Sequence, residues 1–169
     1  MACSTFTSMT LDCRNSVGGV EELYIYGAGT ASISMTATNG VVTTIEAGST
    51  TLSDLASFEK FELLKQTASV GEEGSFSYEN GTIFYTQTLS AVFNKIDGAK
   101  LNNLFGLAQG KLIVVAKSND NKFFVLGNNN GAYVSGHSVS SGTAYGDRSG
   151  TTVTFEGISL EPMYEVNFA

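Results

Sequence analysis

The run from Thr82 to Phe93 constrains the fold most. Ile83, Tyr85, Leu89, Ala91 and Phe93 fall on one face of a period-two pattern, with Gln87 as the one polar residue among them. Phe84, Thr86, Thr88, Ser90 and Val92 fall on the other. A helix cannot keep either set on one side, so this is a long strand. Asn80-Gly81 precedes it, where a tight reversal is easily made. A polar stretch, Thr67 to Asn80, comes before that, so the region 58–93 reads as an extended hairpin reaching beyond the core. Phe76, Tyr78 and Phe84 flank this hairpin and are candidates for contact with another chain; for Phe84 a place in the core fits equally well.

The rest of the chain is also strand-like. Glu21 to Tyr26 puts Leu23 and Ile25 opposite Tyr24 and Tyr26, and Gly27-Ala28-Gly29 should break that strand. Ile33 and Met35 alternate with Ser and Thr up to Asn39-Gly40, a strong two-residue hairpin signal, and 41–46 returns. Residues 47–57 read as a connection with room for one helical turn, and 58–66 as a strand. Lys111 to Lys117 is a nearly continuous apolar run, the mark of a strand covered on both faces. Lys122 to Gly127 returns, 136–150 is a Gly/Ser-rich stretch, Thr151 to Glu156 alternates as a strand, and the final Met163 to Ala169 is a short strand or arm. One helix stands out over 98–109: Asp97 suits the N-cap, and Leu101, Leu104, Phe105 and Ala108 recur at i, i+3, i+4 and i+7. The fold class is therefore mainly β: a single domain over 1–169, a barrel or sandwich with one flanking helix and an arm over 1–20.

Chemistry is hard to find. The chain holds one His, one Pro and no Trp. His137 has Ser141 and Asp147 near it in sequence only, and a catalytic triad also needs an oxyanion site. Glu72 and Glu73 are adjacent and Gly-flanked, as solvated acids are. The Asn-rich turns at 119–121 and 128–130 lack the carboxylate spacing of a calcium loop. Gly127 to Gly131 has neither the lysine nor the helix of a phosphate loop. Cys3 and Cys13 make no metal-binding pattern, and free thiols explain them better than a bridge. No catalytic, cofactor or metal site is expected, so the chain reads as a non-enzyme. A formal net charge of −7 argues against gripping nucleic acid. No apolar run is long enough for a membrane-spanning helix, and the N-terminus lacks the pattern of a secretory signal.

A family resemblance rests on packing and turn motifs spread over most of the chain. They are Phe58-Glu59-Lys60-Phe61-Glu62-Leu63, Glu79-Asn80-Gly81-Thr82-Ile83-Phe84, Gln87-Thr88-Leu89 and Ala99-Lys100-Leu101-Asn102. Further along come Gly110 to Val115, Phe124-Val125-Leu126-Gly127, Gly142 to Arg148 and Thr154-Phe155-Glu156-Gly157. Cys13 to Val20 looks like the arm of the same proteins. The chain thereby resembles the major tail tube proteins of long-tailed bacteriophages, which share their architecture with type VI secretion tubes. The resemblance implies hexameric rings stacked into a tube, with DNA passing through the lumen unbound. It implies tape-measure, tail-tip and terminator proteins as partners, and a place in the virion tail after assembly in the host cytoplasm. It brings no catalytic residues and no cofactor. An acidic lumen is expected, with Glu46, Glu62 and Glu156 as candidates for its acids and Glu72 and Glu73 set aside as hairpin-borne. Other classes stay open: a head-decoration or tail-terminator protein, a carbohydrate- or host-binding β module, or a hydrolase.

Overall fold

The computed structural model describes residues 8–10 and 16–168. Cys3, Cys13 and most of the expected arm lie outside the described residues. Among the described residues, twelve strands and one α-helix follow in chain order: β1 Val20–Gly29, β2 Ile33–Thr38, β3 Val41–Ala47, β4 Thr50–Leu52, β5 Glu59–Glu62, β6 Ala68–Ser77, β7 Thr82–Asn94, α1 Gly98–Leu107, β8 Lys111–Ser118, β9 Phe123–Leu126, β10 Ala132–Ser140, β11 Gly150–Ser159 and β12 Tyr164–Val166.

β8 organises them. Its apolar run is buried on both faces, as a central strand requires. One edge pairs with β1, and the other is shared between β9 and the first residue of β10. Two branches leave from there. β9 continues through β12 to β3 and β2. β10 continues through β11 and β7 to β6, while β5 extends the sheet beyond β1. Leu112, Val114 and Ala116 of β8 enter one core with Leu23, Ile25, Leu89, Val153 and Phe155. Ile113 and Val115 enter a second with Ile33, Val42, Ile45, Val125 and Val166. The alternation of one strand thus feeds two cores on opposite faces.

The path β5-β1-β8-β10-β11-β7-β6 curls around the first core. It does not close, because β5 and β6 are not hydrogen-bonded to one another. The barrel expectation is corrected on this point: the short turn between β5 and β6 leaves an open seam. α1 lies over this core, with Leu104 buried in it and Leu107 packed against it.

Several local expectations also change. β1 does not end at Gly27; it runs to Gly29 with a register irregularity between the two glycines. Residues 47–57 contain the short strand β4 and a single 3-10 turn at Leu55–Ser57, closed by the Asp54 carboxylate accepting from Ser57 N at 3.1 Å. Most of the polar stretch before β7 is regular structure: Ala68–Ser77 is a full strand, paired in continuous register from Ala68↔Ala91 to Ser77↔Thr82. The hairpin is therefore β6–β7, and β5 belongs to β1 instead. α1 ends at Leu107, Phe105 is 65% exposed and Ala108 is exposed, so only part of the expected stripe meets the core. Asp97 occupies the N-cap position, but its side chain makes no capping bond.

Gln87 explains itself once β6 is in place. Fully buried, it donates from Nε2 to Glu72 at 3.0 Å and accepts from the Gly127 N–H at 2.7 Å. Glu72 also accepts from the Met163 N–H. The Gly127–Gly131 turn is a clasp. Asn128 donates to the carbonyls of Glu161 and Pro162, Asn129 accepts from Met35 N, and Asn130 donates to Ile158 O. Gly127 has φ 83° and no room for a Cβ, which would lie 2.2 Å from Gly131 C. On the other side of the molecule, Lys60 bridges Glu22 at 2.6 Å and Lys117 bridges Glu21 at 2.9 Å, tying β5, β1 and β8 together.

Candidate functional site

The four strands β6, β7, β11 and β10 form a unit with unusual surface chemistry. Successive strands are antiparallel, so β6 and β10, at its two edges, run in opposite directions. β6 pairs on one edge only, and beyond Ala132 so does β10. Among the described residues, then, both borders of this unit present unpaired backbone groups.

Its inner face feeds the first core. Its outer face is filled mainly by Ser and Thr: Ser69 and Ser75 on β6, Thr86, Thr88 and Ser90 on β7, Thr152 and Thr154 on β11, Ser138 on β10. The register puts Glu73 and Glu156 on this same face, opposite Thr86 and Thr88. No Lys or Arg occurs anywhere in the four strands. Tyr133 sits opposite Glu156 and donates to its carboxylate at 3.0 Å. That hydrogen bond, with a smaller contribution from burial, raises the Tyr133 phenol above its ordinary range. Of the acids expected on one face, Glu156 is there, while Glu46 lies on β3 and Glu62 on β5 beside Lys60. Glu73, set aside in the sequence, joins it because β6 is a strand and not a loop.

The hairpin projects past the sheet. β11 stops opposite Tyr85, so Thr82, Ile83 and Phe84 extend beyond it. The three contact candidates all lie on this extension: Phe76 is 67% exposed, Tyr78 102% and Phe84 39%. Phe76 stands opposite the exposed Ile83 on one face of the hairpin and Phe84 opposite Ser75 on the other, and the core alternative for Phe84 falls away. The turn Tyr78–Gly81 carries Glu79.

Beside the unpaired part of β10 runs an apolar groove of about 380 Å³, between α1 and the strand. Leu101, Phe105 and Ala108 line one side and Val134, His137 and Val139 the other. Sequence reasoning missed it because the residues of α1 that fail to reach the core line this groove instead. His137 stands here opposite Val153. Ser141 donates to Gly142 O, and the Asp147 carboxylate accepts the Thr143 and Ala144 N–H groups at 2.8 Å each. Neither bonds to His137, so the structure does not assemble the triad those residues hinted at. Those two backbone donors hold the Asp147 carboxyl below its usual range. No three His, Cys, Asp or Glu side chains among the described residues gather as metal ligands. Among the described residues no helix is long and apolar enough to cross a membrane.

No family model matches the chain, and no curated protein sequence does. Among solved structures, a chain from the "Virion of native gene transfer agent (GTA) particle" is similar with a TM-score of 0.40 and 9% identity, over 68% of this chain and 92% of that one.

Proposed function

We propose that this chain is a structural subunit of a virion, the major tail tube protein, whose copies form six-membered rings stacked around a DNA-conducting lumen. The observation that carries the reading is the four-stranded unit with two unpaired edges and a Ser/Thr-rich face with two acids and no base. β6 and β10 run in opposite directions. Rotation about an axis along the strands therefore places a neighbour's β6 antiparallel beside β10, the arrangement already used throughout the unit. Closing the ring removes every such edge. The apolar groove between α1 and β10 lies where that neighbour would arrive.

Size supports six copies. Six units bring about twenty-four strands to the bore, and at ~4.8 Å per strand the backbone circle is ~37 Å across, wide enough for a duplex after side chains are added. Strand tilt widens it further. A bore of hydroxyls with Glu73 and Glu156 offers phosphates no cation, so DNA slides without binding. The subunit then works in the virion tail, assembled in the host cytoplasm, with tape-measure, tail-tip and terminator proteins as partners and no enzymatic step.

Negative-stain microscopy and mass photometry of the purified chain, with and without a tail-tip initiator, test this. Rings of six or tubes are expected. A species that stays monomeric at every concentration and with the initiator refutes it. So does salt-sensitive duplex binding by the assembled form at ~0.15 M salt, where weak non-specific binders register at ~10⁻⁴–10⁻⁶ M.

A further inference from the structure

An asparagine followed by glycine can rearrange without an enzyme, because the glycine has no side chain to keep its backbone nitrogen away from the asparagine carboxamide. The chain holds three such pairs: Asn39-Gly40, Asn80-Gly81 and Asn130-Gly131. The reaction requires the backbone to leave its turn, so the cost of opening each turn ranks the three. Asn130-Gly131 is closed. Asn130 Nδ2, the group that has to leave, donates to Ile158 O at 2.9 Å. The Gly131 N–H, the group that has to attack, donates to Gly127 O at 2.9 Å. Both sit in the clasp around the buried Asn128. Asn39-Gly40 is intermediate. It is exposed, but the Thr38↔Val41 pair closes its turn, and Gly40 O accepts the Glu165 N–H at 3.0 Å. Opening it disturbs β2, β3 and β12 together.

Asn80-Gly81 has no such support. Both residues are exposed, in the turn that joins β6 to β7. The Asn80 carboxamide bonds to none of the described residues, and the Gly81 N–H meets Tyr78 O only at 3.4 Å. β11 pairs with β7 no further than Tyr85, so the turn stands on a ribbon two strands wide. A two-stranded ribbon by itself is marginal in water, and opening its tip disturbs no other element.

We propose that Asn80 is a site of spontaneous covalent modification, at which the free chain converts its own hairpin tip to aspartate and isoaspartate. The Gly81 nitrogen, losing its proton, attacks Asn80 Cγ. A C–N bond forms and closes a succinimide ring, the Cγ–Nδ2 bond breaks, and the nitrogen leaves with the proton as ammonia. Water then opens the ring at either carbonyl, and nothing is oxidised or reduced. The tip gains a carboxylate beside Glu79, and in the isoaspartyl form the backbone gains a methylene, which no longer fits the turn closed by Ser77↔Thr82. The change falls next to the exposed Phe76 and Tyr78, so ageing alters the aromatic surface that the fold offers to other molecules. The inference is independent of the ring reading, since it requires only a folded chain with its tip in water.

The full-length chain tests it, aged at mildly alkaline pH either folded or in urea and then digested in acid. Mass spectrometry follows each Asn-Gly peptide, and an isoaspartyl carboxyl methyltransferase with labelled S-adenosylmethionine counts the isoaspartate. In the folded chain Asn80 is expected to convert about tenfold or more faster than Asn130, and several-fold faster than Asn39. In urea the three rates should converge, because each asparagine is then only a residue followed by glycine. Asn80→Gln, whose longer side chain closes a larger ring slowly, should remove most of the methylatable product from the folded chain and leave its circular dichroism unchanged. The proposal is overturned if Asn39 or Asn130 converts as fast as Asn80 in the folded chain. It is equally overturned if urea speeds Asn80 as much as it speeds Asn130, or if Asn80→Gln leaves the methylation signal where it was.

Discussion

Gln87→Glu is the most incisive single change, because it alters one atom of a fully buried amide. Gln87 Nε2 donates to Glu72, and the substitution replaces this donor with an oxygen facing a carboxylate. The shape is kept, so the loss is electrostatic. Burial and the adjacent like charge raise the introduced carboxyl by roughly two to three pH units. At 1.36 kcal/mol per unit this costs ~3–4 kcal/mol once the group is ionised. The sign follows from linkage. The folded-state pKa of the introduced group lies above its unfolded value of ~4.3, so the cost is absent below about pH 4. It then grows by ~1.4 kcal/mol per pH unit and levels off above the folded-state pKa, near pH 7. Below the plateau the protonated carboxyl can donate to Glu72 in place of the lost amide. Gln87→Met is the control: it leaves the Gly127 N–H without its acceptor and costs ~1–3 kcal/mol at every pH. Urea unfolding followed by circular dichroism between pH 4.5 and 8, each variant against the unmodified chain at the same pH, gives both numbers. A Gln87→Glu penalty that is flat with pH, or below ~0.5 kcal/mol at pH 8, refutes the network as described.

Leu104→Ala should cost ~2 kcal/mol, the low end for such truncations, because grooves lie on both sides of Leu104 and water can fill the gap; Leu89→Ala, fully enclosed, should cost ~4–5 kcal/mol. Equal urea midpoints for the two would contradict this packing of α1. Asp97→Ala should shift stability by less than ~0.5 kcal/mol, since the side chain makes no capping bond to lose. Glu22 has its carboxyl held below the usual range, chiefly by the hydrogen bond from Lys60. It therefore contributes stability that is present above its unfolded pKa and lost as pH falls through the depressed folded value. Lys60→Met should flatten that acid limb in melting curves taken from pH 6 down to pH 2.

What the sequence revealed depended on where each strand keeps its apolar residues. β7, β8 and the β2–β3 hairpin could be read directly, because one or both faces meet a core and Asn39-Gly40 marks the reversal with positive φ at both residues. β6 was invisible for the opposite reason. Most of its residues are exposed, and its alternation is of Ser, Gly and Glu, which resembles a loop. Its identity comes from ten backbone pairings to β7, a non-local fact. The Asn128–Asn130 clasp was hidden similarly, since each side chain's partner lies far away in the chain. On the hairpin, Phe76 and Tyr78 can be read as aromatic residues in a polar stretch, while Phe84, between Ile83 and Tyr85, gives no such signal and is exposed because the hairpin outruns β11. The unpaired edges of the candidate site were not legible, because which strand ends a sheet is decided by topology and not by composition.

β8 has a consequence for how the molecule is made. β1 pairs with β5 across Leu23↔Phe61, but its other partner, across Leu23↔Ala116, lies about ninety residues later in the chain. At ~5–20 residues per second, a ribosome needs roughly 5–20 s to deliver that partner. Through this interval Leu23 and Ile25 lack most of their core, and the edge of β1 that β5 does not take stays bare. β8 takes β1 on one edge and then receives β9 and β10, which follow it in the chain, on the other; pairing this non-local places the chain among slow, high-contact-order folders. The salt bridges that fasten β1 to β5 and β8 put charge on an otherwise sticky ribbon, and charged residues on a waiting strand discourage pairing with the wrong chain. A holdase that shields residues 20–29 until β8 emerges should therefore raise the soluble yield of the chain.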